Sequence, residues 1–194
     1  MTATRQGGDM LGVAAAEEKG IDTARYRRLF KHLPTAVVAI TGVDAAGEKL
    51  GMVVGTFQSL SLDPPLVMFS VDKTSSTWPK IRRLKHFTAS VLGAEQVPVC
   101  RQLSKKGPDK LAGVPHHAGP LGTPHIEGAL AWLDCSVTAE IAVGDHFMVV
   151  GAVTGMGEDG GNPLLFLGRE FGRYEPLQPV APEITTPAQT GVAS

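Results

Sequence analysis

Between residues 131 and 143 an apolar side chain stands at every second position. Ala131, Leu133, Cys135, Val137, Ala139, Ile141 and Val143 fall on one side of an extended chain, and Asp134, Ser136, Thr138 and Glu140 on the other. Period two is the mark of a strand with one buried face, so the spacing predicts a strand over Ala131–Val143. Shorter apolar runs predict further strands at Ala36–Val43, Leu50–Phe57, Leu66–Val71, Phe87–Leu92, Phe147–Val153 and Leu164–Leu167. Asp44-Ala-Ala-Gly47 supplies a turn that makes the first two a hairpin.

Helical periodicity is confined to short stretches. Tyr26, Leu29, Phe30 and Leu33 recur at helical spacing behind Asp22, a good N-cap, and Pro34 ends the run. Ser75-Ser76-Thr77 offers caps for a second helix, with Pro79 in its first turn and Trp78, Ile81 and Leu84 on one face. A third helix is expected over Glu95–Leu103. About seven strands and three short helices leave too few helices to cross over between parallel strands. The pattern therefore predicts a mainly β fold, an antiparallel barrel decorated by short helices.

Length and composition narrow the picture. The 194 residues fit one domain. Residues 1–20 lack periodicity and read as a disordered arm, and the proline-rich residues 175–194 as a mobile tail, which leaves 21–174 as the folded unit. The net charge of −1 offers no field to recruit nucleic acid or an anionic membrane. The run Met10–Ala16 is too short, and too closely flanked by Asp9, Glu17 and Glu18, for a signal peptide. Cys100 and Cys135 are far apart and form no metal or disulfide pattern, so a reducing cytoplasm is the simplest compartment.

Several motifs carry candidate chemistry. Gly155-Met-Gly157-Glu-Asp-Gly160 spells a dinucleotide fingerprint, but Asn162-Pro163 and a strand follow where a helix must begin, so the segment reads as a hairpin loop. His116, His117 and His125 sit among prolines and glycines without a thiolate or carboxylate partner in the sequence, which reads as a solvated loop and not a metal site. Neither a nucleophile elbow nor a phosphate-binding P-loop occurs. Asp72-Lys-Thr-Ser-Ser-Thr77 joins a strand end to a helix start, where four hydroxyls and a lysine suit a phosphate; an ordinary capped loop is the alternative. His146 opens a strand after Gly144-Asp145, where a histidine is either functional or merely exposed.

Taken in order, several segments resemble the flavin-reductase-like proteins with an FMN-binding split barrel. These are Gly51–Phe69, Lys73-Thr-Ser-Ser-Thr77, Phe87–Leu92, Pro108-Asp-Lys110, Gly144-Asp-His146, Pro163-Leu-Leu-Phe166 and Gly172-Arg-Tyr174. The resemblance implies a homodimer of Greek-key-like split β-barrels. It implies that Thr35, Ala36 and Val37, with Met52, Val53, Val54, Gly55 and Thr56, line a flavin ring beside Ser59 and Leu60. Lys73, Ser75, Ser76 and Thr77 would hold the flavin phosphate, and Lys110 joins the cofactor site. Asp145 and His146 would face the nicotinamide, with Arg173 and Tyr174 nearby and His146 as the catalytic candidate. Relatives usually carry Thr or Ser about where Val53, Val54 and Gly55 stand, so fewer hydroxyls reach the ring edge here.

The activity implied is hydride transfer from NADH, in preference to NADPH, to FAD or FMN. The cofactors carry that chemistry and the protein supplies position. Reduced flavin would leave by diffusion for a separate flavin-dependent monooxygenase. Two other readings of the fold are a flavin- or haem-binding sensor or storage protein without rapid turnover, and a relative of pyridoxamine phosphate oxidase. The second needs a cluster of basic residues beyond Lys73 that the sequence does not show.

Overall fold

The computed structural model describes residues 20–177. Apart from Gly20 and residues 175–177, the expected arm and tail lie outside the described residues. Among those residues the elements run α1 (Thr23–Phe30), β1 (Thr35–Ala36), β2 (Val38–Val43), β3 (Lys49–Val54), β4 (Gln58–Leu62), β5 (Pro65–Asp72), α2 (Trp78–Leu84), β6 (His86–Val91), α3 (Val97–Ser104), β7 (His116–Ala118), β8 (Pro124–Ile126), β9 (Ala131–Val143), β10 (His146–Glu158), β11 (Leu164–Leu167) and β12 (Glu170–Arg173).

Seven strands form one antiparallel sheet in the order β3-β2-β6-β9-β10-β5-β4. β3 and β4 are consecutive in the chain yet lie at opposite edges of that order. Only residues 55–57 join them, a link that reaches about 14 Å at full extension. The sheet is therefore rolled until its two edges come within reach, and β3 lies against β5. A second sheet, β1-β11-β12, closes over one end. Inside the roll Phe69 meets Trp78 and Phe87 edge-on, each with ring centroids 5.4 Å away. Val37, Ala39, Leu92, Cys100, Leu103 and Leu164 form a second core under α3.

The predicted strand Ala36–Val43 is two strands. Val37 separates them because its backbone serves other partners, its N–H donating to the Leu164 carbonyl and its carbonyl accepting from Leu92. The predicted return strand Leu50–Phe57 stops at Val54, and the chain turns away at Gly55 to make β4. The long strand β9 keeps its expected bounds. Three further expectations are corrected. Gly155 and Gly157 lie within β10 and not in a hairpin loop, and a Cβ at Gly157 would stand 2.7–2.8 Å from the Trp132 indole. His116 and His117 belong to β7 and His125 to β8, so the histidines are on a paired ribbon. His125 is 2% exposed and its Nε2 lies 2.9 Å from Oδ1 of Asp134, which also accepts from the Thr88 hydroxyl at 2.6 Å. Asp134, read as part of a polar solvent face, is thus in the interior.

α1 forms where expected, with Asp22 accepting from the Ala24 N–H at 2.9 Å. Its apolar face, however, is not in the core. Tyr26, Leu29, Phe30 and Leu33 are all exposed, because the helix lies outside the rolled sheet against the β11–β12 end.

Candidate functional site

Thr35, Val37, Val53, Val54 and Gly55 converge on one pocket of about 210 Å3. β1 and the end of β3 bring them together, Gly55 following directly on β3 and its Cα facing Thr35 of β1. α3 adds Cys100 and Ser104, and the β11–β12 hairpin adds Phe166 and Phe171. The walls are mainly apolar and the pocket is open on one side, which suits the face of a flat ring. Gly55 has a steric role here: a Cβ would stand 2.8 Å from Oγ1 of Thr35. A larger residue at 55 would displace that hydroxyl from the pocket wall.

The neighbouring expected residues divide. Ala36 pairs with Leu165 behind the pocket. Met52 turns the other way and packs against the core inside the roll. Thr56 uses its hydroxyl on the backbone of Ser70, accepting from its N–H at 2.8 Å and donating to its carbonyl at 3.2 Å, which pins the turn to β5. Ser59 pairs with Val67, and a bulge leaves Leu60 unpaired and 48% exposed on the outer edge.

The loop after β5 is built by its own polar groups. The Asp72 carboxylate accepts from the Thr74 N–H and hydroxyl, both at 2.7 Å, and these bonds hold its pKa below the usual value. Ser75 Oγ accepts from the Trp78 N–H at 3.2 Å and caps α2, a role the sequence left open among three residues. Thr77 makes no side-chain cap. Ser76 and Thr77 instead border a cavity of about 200 Å3 together with Leu50, Glu48, Lys80 and Lys110. Lys110 donates to the carbonyls of Leu103 and Lys105, and burial pushes its pKa down. Lys73 points elsewhere. Its Nζ donates to the Gly144 carbonyl at 2.6 Å, and its backbone N–H donates to Asp145.

That contact ties the loop to the β9–β10 turn. His146 pairs with Asp72 across β10 and β5. Its Nδ1 lies 2.7 Å from Oδ1 of Asp145, and the hydrogen bond, followed by the imidazole's charge, lowers the Asp145 pKa. Lys73, Asp145 and His146 therefore form one cluster. Arg173 and Tyr174 are on or just after β12, where Arg173 bonds Glu175 and Tyr174 exchanges two hydrogen bonds with Asn162. No hydrogen bond or ion pair joins them to His146 among the described residues.

Sequence reasoning missed Cys100, Ser104, Phe166 and Phe171 as pocket walls. Phe166 carried a signal, since Pro163-Leu-Leu-Phe166 is one of the segments that resemble the family, but the helix residues had none. It also missed Glu140, which anchors α2. No group of three or more His, Cys, Asp or Glu side chains suited to a metal occurs among the described residues. No described helix is long and apolar enough to cross a membrane.

A mainly β fold of rolled antiparallel sheet, with an apolar pocket at one end of β3 and a cavity lined by hydroxyls, Lys80, Lys110 and Glu48 at the other, is the class of protein the structure defines. Residues 30–175 match the flavin reductase like domain, and the chain belongs to that family. It is 39% identical over 155 residues to a flavin reductase of Pseudomonas putida, covering 79% of this chain and 91% of the relative. It is similar in structure to nitrilotriacetate monooxygenase component B of Mycobacterium thermoresistibile, with a TM-score of 0.76, 37% identity and coverage of 89% and 94%. The NADH:FAD oxidoreductase SgcE6 of Streptomyces globisporus C-1027, solved with NAD and FAD fragments, matches with a TM-score of 0.75, 32% identity and coverage of 80% and 94%.

Proposed function

We propose that this protein is an NADH-dependent flavin reductase that supplies free reduced FAD or FMN to a separate flavin-dependent monooxygenase. The observation that carries the reading is the convergence of Thr35, Val37, Val53, Val54 and Gly55 on one apolar pocket in a chain of this family. When both substrates are bound, hydride passes from the nicotinamide to the flavin. This chain's residues bind and orient them.

In this reading the flavin ring lies against Val53, Val54 and Gly55, with Thr35 at its edge. Leu50 borders the hydroxyl-lysine cavity and Val53–Gly55 the apolar pocket, so along β3 the two are roughly 10–16 Å apart. That separation suits a ring at one end and its phosphate on Ser76, Thr77 and Lys110 at the other. Ser75 supports them by capping α2, and Lys73 orients the loop through Gly144. Asp145 fixes the His146 ring through Nδ1, leaving Nε2 to orient the nicotinamide; Arg173 and Tyr174 are assigned to that side by the family resemblance alone. Few side-chain hydroxyls face the ring, which supports weak retention and release of the product.

The exposed faces of α1 and β4 support the further reading that the chain works as a homodimer of split barrels, and the two free cysteines fit a reducing cytoplasm. Tyr26, Leu29, Phe30, Leu33, Leu60 and Leu62 are too much apolar surface for a lone small protein to leave wet.

Stopped-flow oxidation of NADH and of NADPH, with FMN and FAD each added in turn, tests the function. Fast turnover saturating in one flavin is expected. Bound flavin without turnover for any pair would defeat the reductase and favour the sensor or storage reading.

A further inference from the structure

We infer that Glu48 selects the flavin by the charge of its phosphate. It tunes the hydroxyl-lysine cavity for the singly charged phosphates of FAD against the phosphomonoester of FMN. The inference rests on the reductase reading above and on its placement of the flavin phosphate. Ser76, Thr77, Lys80 and Lys110 line that cavity, and Glu48 puts a carboxylate on the same wall. Both of its oxygens accept from Lys80 Nζ, at 2.8 and 2.9 Å. Lys110 is in no ion pair among the described residues and donates to the carbonyls of Leu103 and Lys105. Two lysines against one carboxylate leave the lining with a surplus of one positive charge.

Both members of the ion pair are held by their own backbone. The Glu48 N–H donates to Oδ1 of Asp44 at 2.9 Å, and its carbonyl accepts from the Asp44 N–H at 3.0 Å, so the turn between β2 and β3 fixes it. The Lys80 N–H donates to the Thr77 carbonyl at 3.0 Å at the start of α2. The two side chains are 36% and 47% exposed, and as a stabilising contact such a pair is worth little. Its larger consequence falls on a ligand. Glu48 takes up the charge of Lys80 and keeps a negative charge beside the phosphate. Each phosphate of FAD carries one negative charge. A phosphomonoester such as that of FMN carries about −1.5 to −2 at pH 7. A surplus of one positive charge balances the first and leaves the second in excess. Glu48 is therefore a positioning residue for Lys80 and a repulsive element against the more highly charged flavin.

Riboflavin, FMN and FAD share a ring and differ in phosphate charge, so together they isolate the effect. The experiment is isothermal titration calorimetry of wild-type, Glu48→Gln and Glu48→Asp protein with all three. Melting temperatures check that the variants fold. Glu48→Gln is expected to bind FMN about fivefold tighter or more and FAD about twofold tighter, with riboflavin unchanged, as like charges a few ångströms apart in solvated surroundings imply. Glu48→Asp keeps the charge and should keep the wild-type ranking of FMN against FAD, which a role in shape alone would not. Equal changes for FMN and FAD, or none, in a protein that binds FMN more tightly than riboflavin would overturn the inference and leave the reductase reading intact. Wild-type protein that holds riboflavin as tightly as FMN and FAD would overturn it together with the phosphate placement. Wild-type protein that binds none of the three would instead sink the reductase reading itself.

Discussion

The indole nitrogen of Trp78 donates to Oε2 of Glu140 at 2.6 Å, and this bond fastens α2 to the long strand β9. The other carboxylate oxygen takes Arg82 Nη1 at 2.7 Å, so one side chain holds both ends of the first turn and a half of the helix. Trp78 is 1% exposed and its N–H has no water to fall back on. Replacing Glu140 with Leu should cost about 1.5–3 kcal/mol, the usual loss for hydrogen bonds to a charged group. Glu140→Gln keeps an acceptor for the indole and should lose less. Urea denaturation of the three proteins checks the order. Because Ser76 and Thr77 lead directly into α2, the Leu variant should also bind FMN more weakly; unchanged FMN affinity would separate the helix from the phosphate cavity.

The Asp145–His146 pair makes a prediction about pH. The Asp145 pKa is lowered first by its hydrogen bond to His146 and then by the imidazole's charge. A carboxylate with a depressed folded pKa favours the folded arrangement above its ordinary pKa and loses that contribution as pH falls through the folded value. The β9–β10 turn should therefore hold through mild acid and loosen only in strong acid, as pH falls from the ordinary carboxylate value through the lower folded one. In His146→Ala the Asp145 pKa should rise back toward that range, measured by carboxyl carbon NMR during a pH titration. The same variant should slow hydride transfer or raise the NADH KM. If neither moves, His146 has no part in positioning the nicotinamide.

How much of this was legible in the sequence depended on what each residue reports. Period two fixed β9 to the residue, because alternate burial is a local property of one strand. The turn at Gly55 was not legible. Val53, Val54 and Phe57 all suit a strand, and only the need to roll the sheet ends β3 there. α1 was legible as a helix but its exposed position was not, since an apolar stripe says that a face is to be covered and not by what. The ring-pocket residues of β1 and β3 came from a family resemblance. Cys100 and Ser104 are on α3, some 45 residues further on, and no local pattern brings them to the same pocket.

Asp134 is the sharpest case of a misread position. On the pattern it belongs to the solvent face, yet it is 2% exposed and accepts from Thr88 and pairs with His125 inside the fold. A bulge in the β9–β10 ladder beside it shifts the register there. Removing one partner of a buried, hydrogen-bonded pair strands the other, and such losses run to about 3–5 kcal/mol. Asp134→Ala should be destabilised by that order in thermal or urea unfolding, far more than Glu48→Ala, whose bond to Lys80 is exposed. Similar stabilities for the two would show that the buried pair is not formed.

Neither cysteine should react as a surface thiol. Both are free and buried. Burial and then the Asp134 charge push the Cys135 thiol up to about 12, and burial raises Cys100 as well. The thiolate is the reactive form, so labelling by a disulfide reagent at pH 8 should be slow in folded protein and complete after denaturation. Rapid labelling of one thiol would locate an opening at its core, and for Cys100 that opening is the ring pocket.

Gly157 tests why a nucleotide fingerprint appears in a strand. The indole of Trp132, on the facing strand β9, covers Gly157 so closely that any Cβ would stand 2.7–2.8 Å from three of its atoms. The same ring leans on His125 at 4.5 Å between centroids, so it cannot swing away without disturbing the buried pair beneath. A glycine is required there by packing, and the resemblance to Gly-x-Gly-x-x-Gly is a by-product. Gly157→Ala should cost about 1–3 kcal/mol, the usual range for overpacking. Gly155→Ala should be milder, because its Cβ would meet only ordinary contacts of 3.7–3.8 Å. If the glycines served a dinucleotide instead, both substitutions would weaken NADH binding at unchanged stability. Melting temperatures and NADH titrations of the two variants decide between a packing role and a binding role.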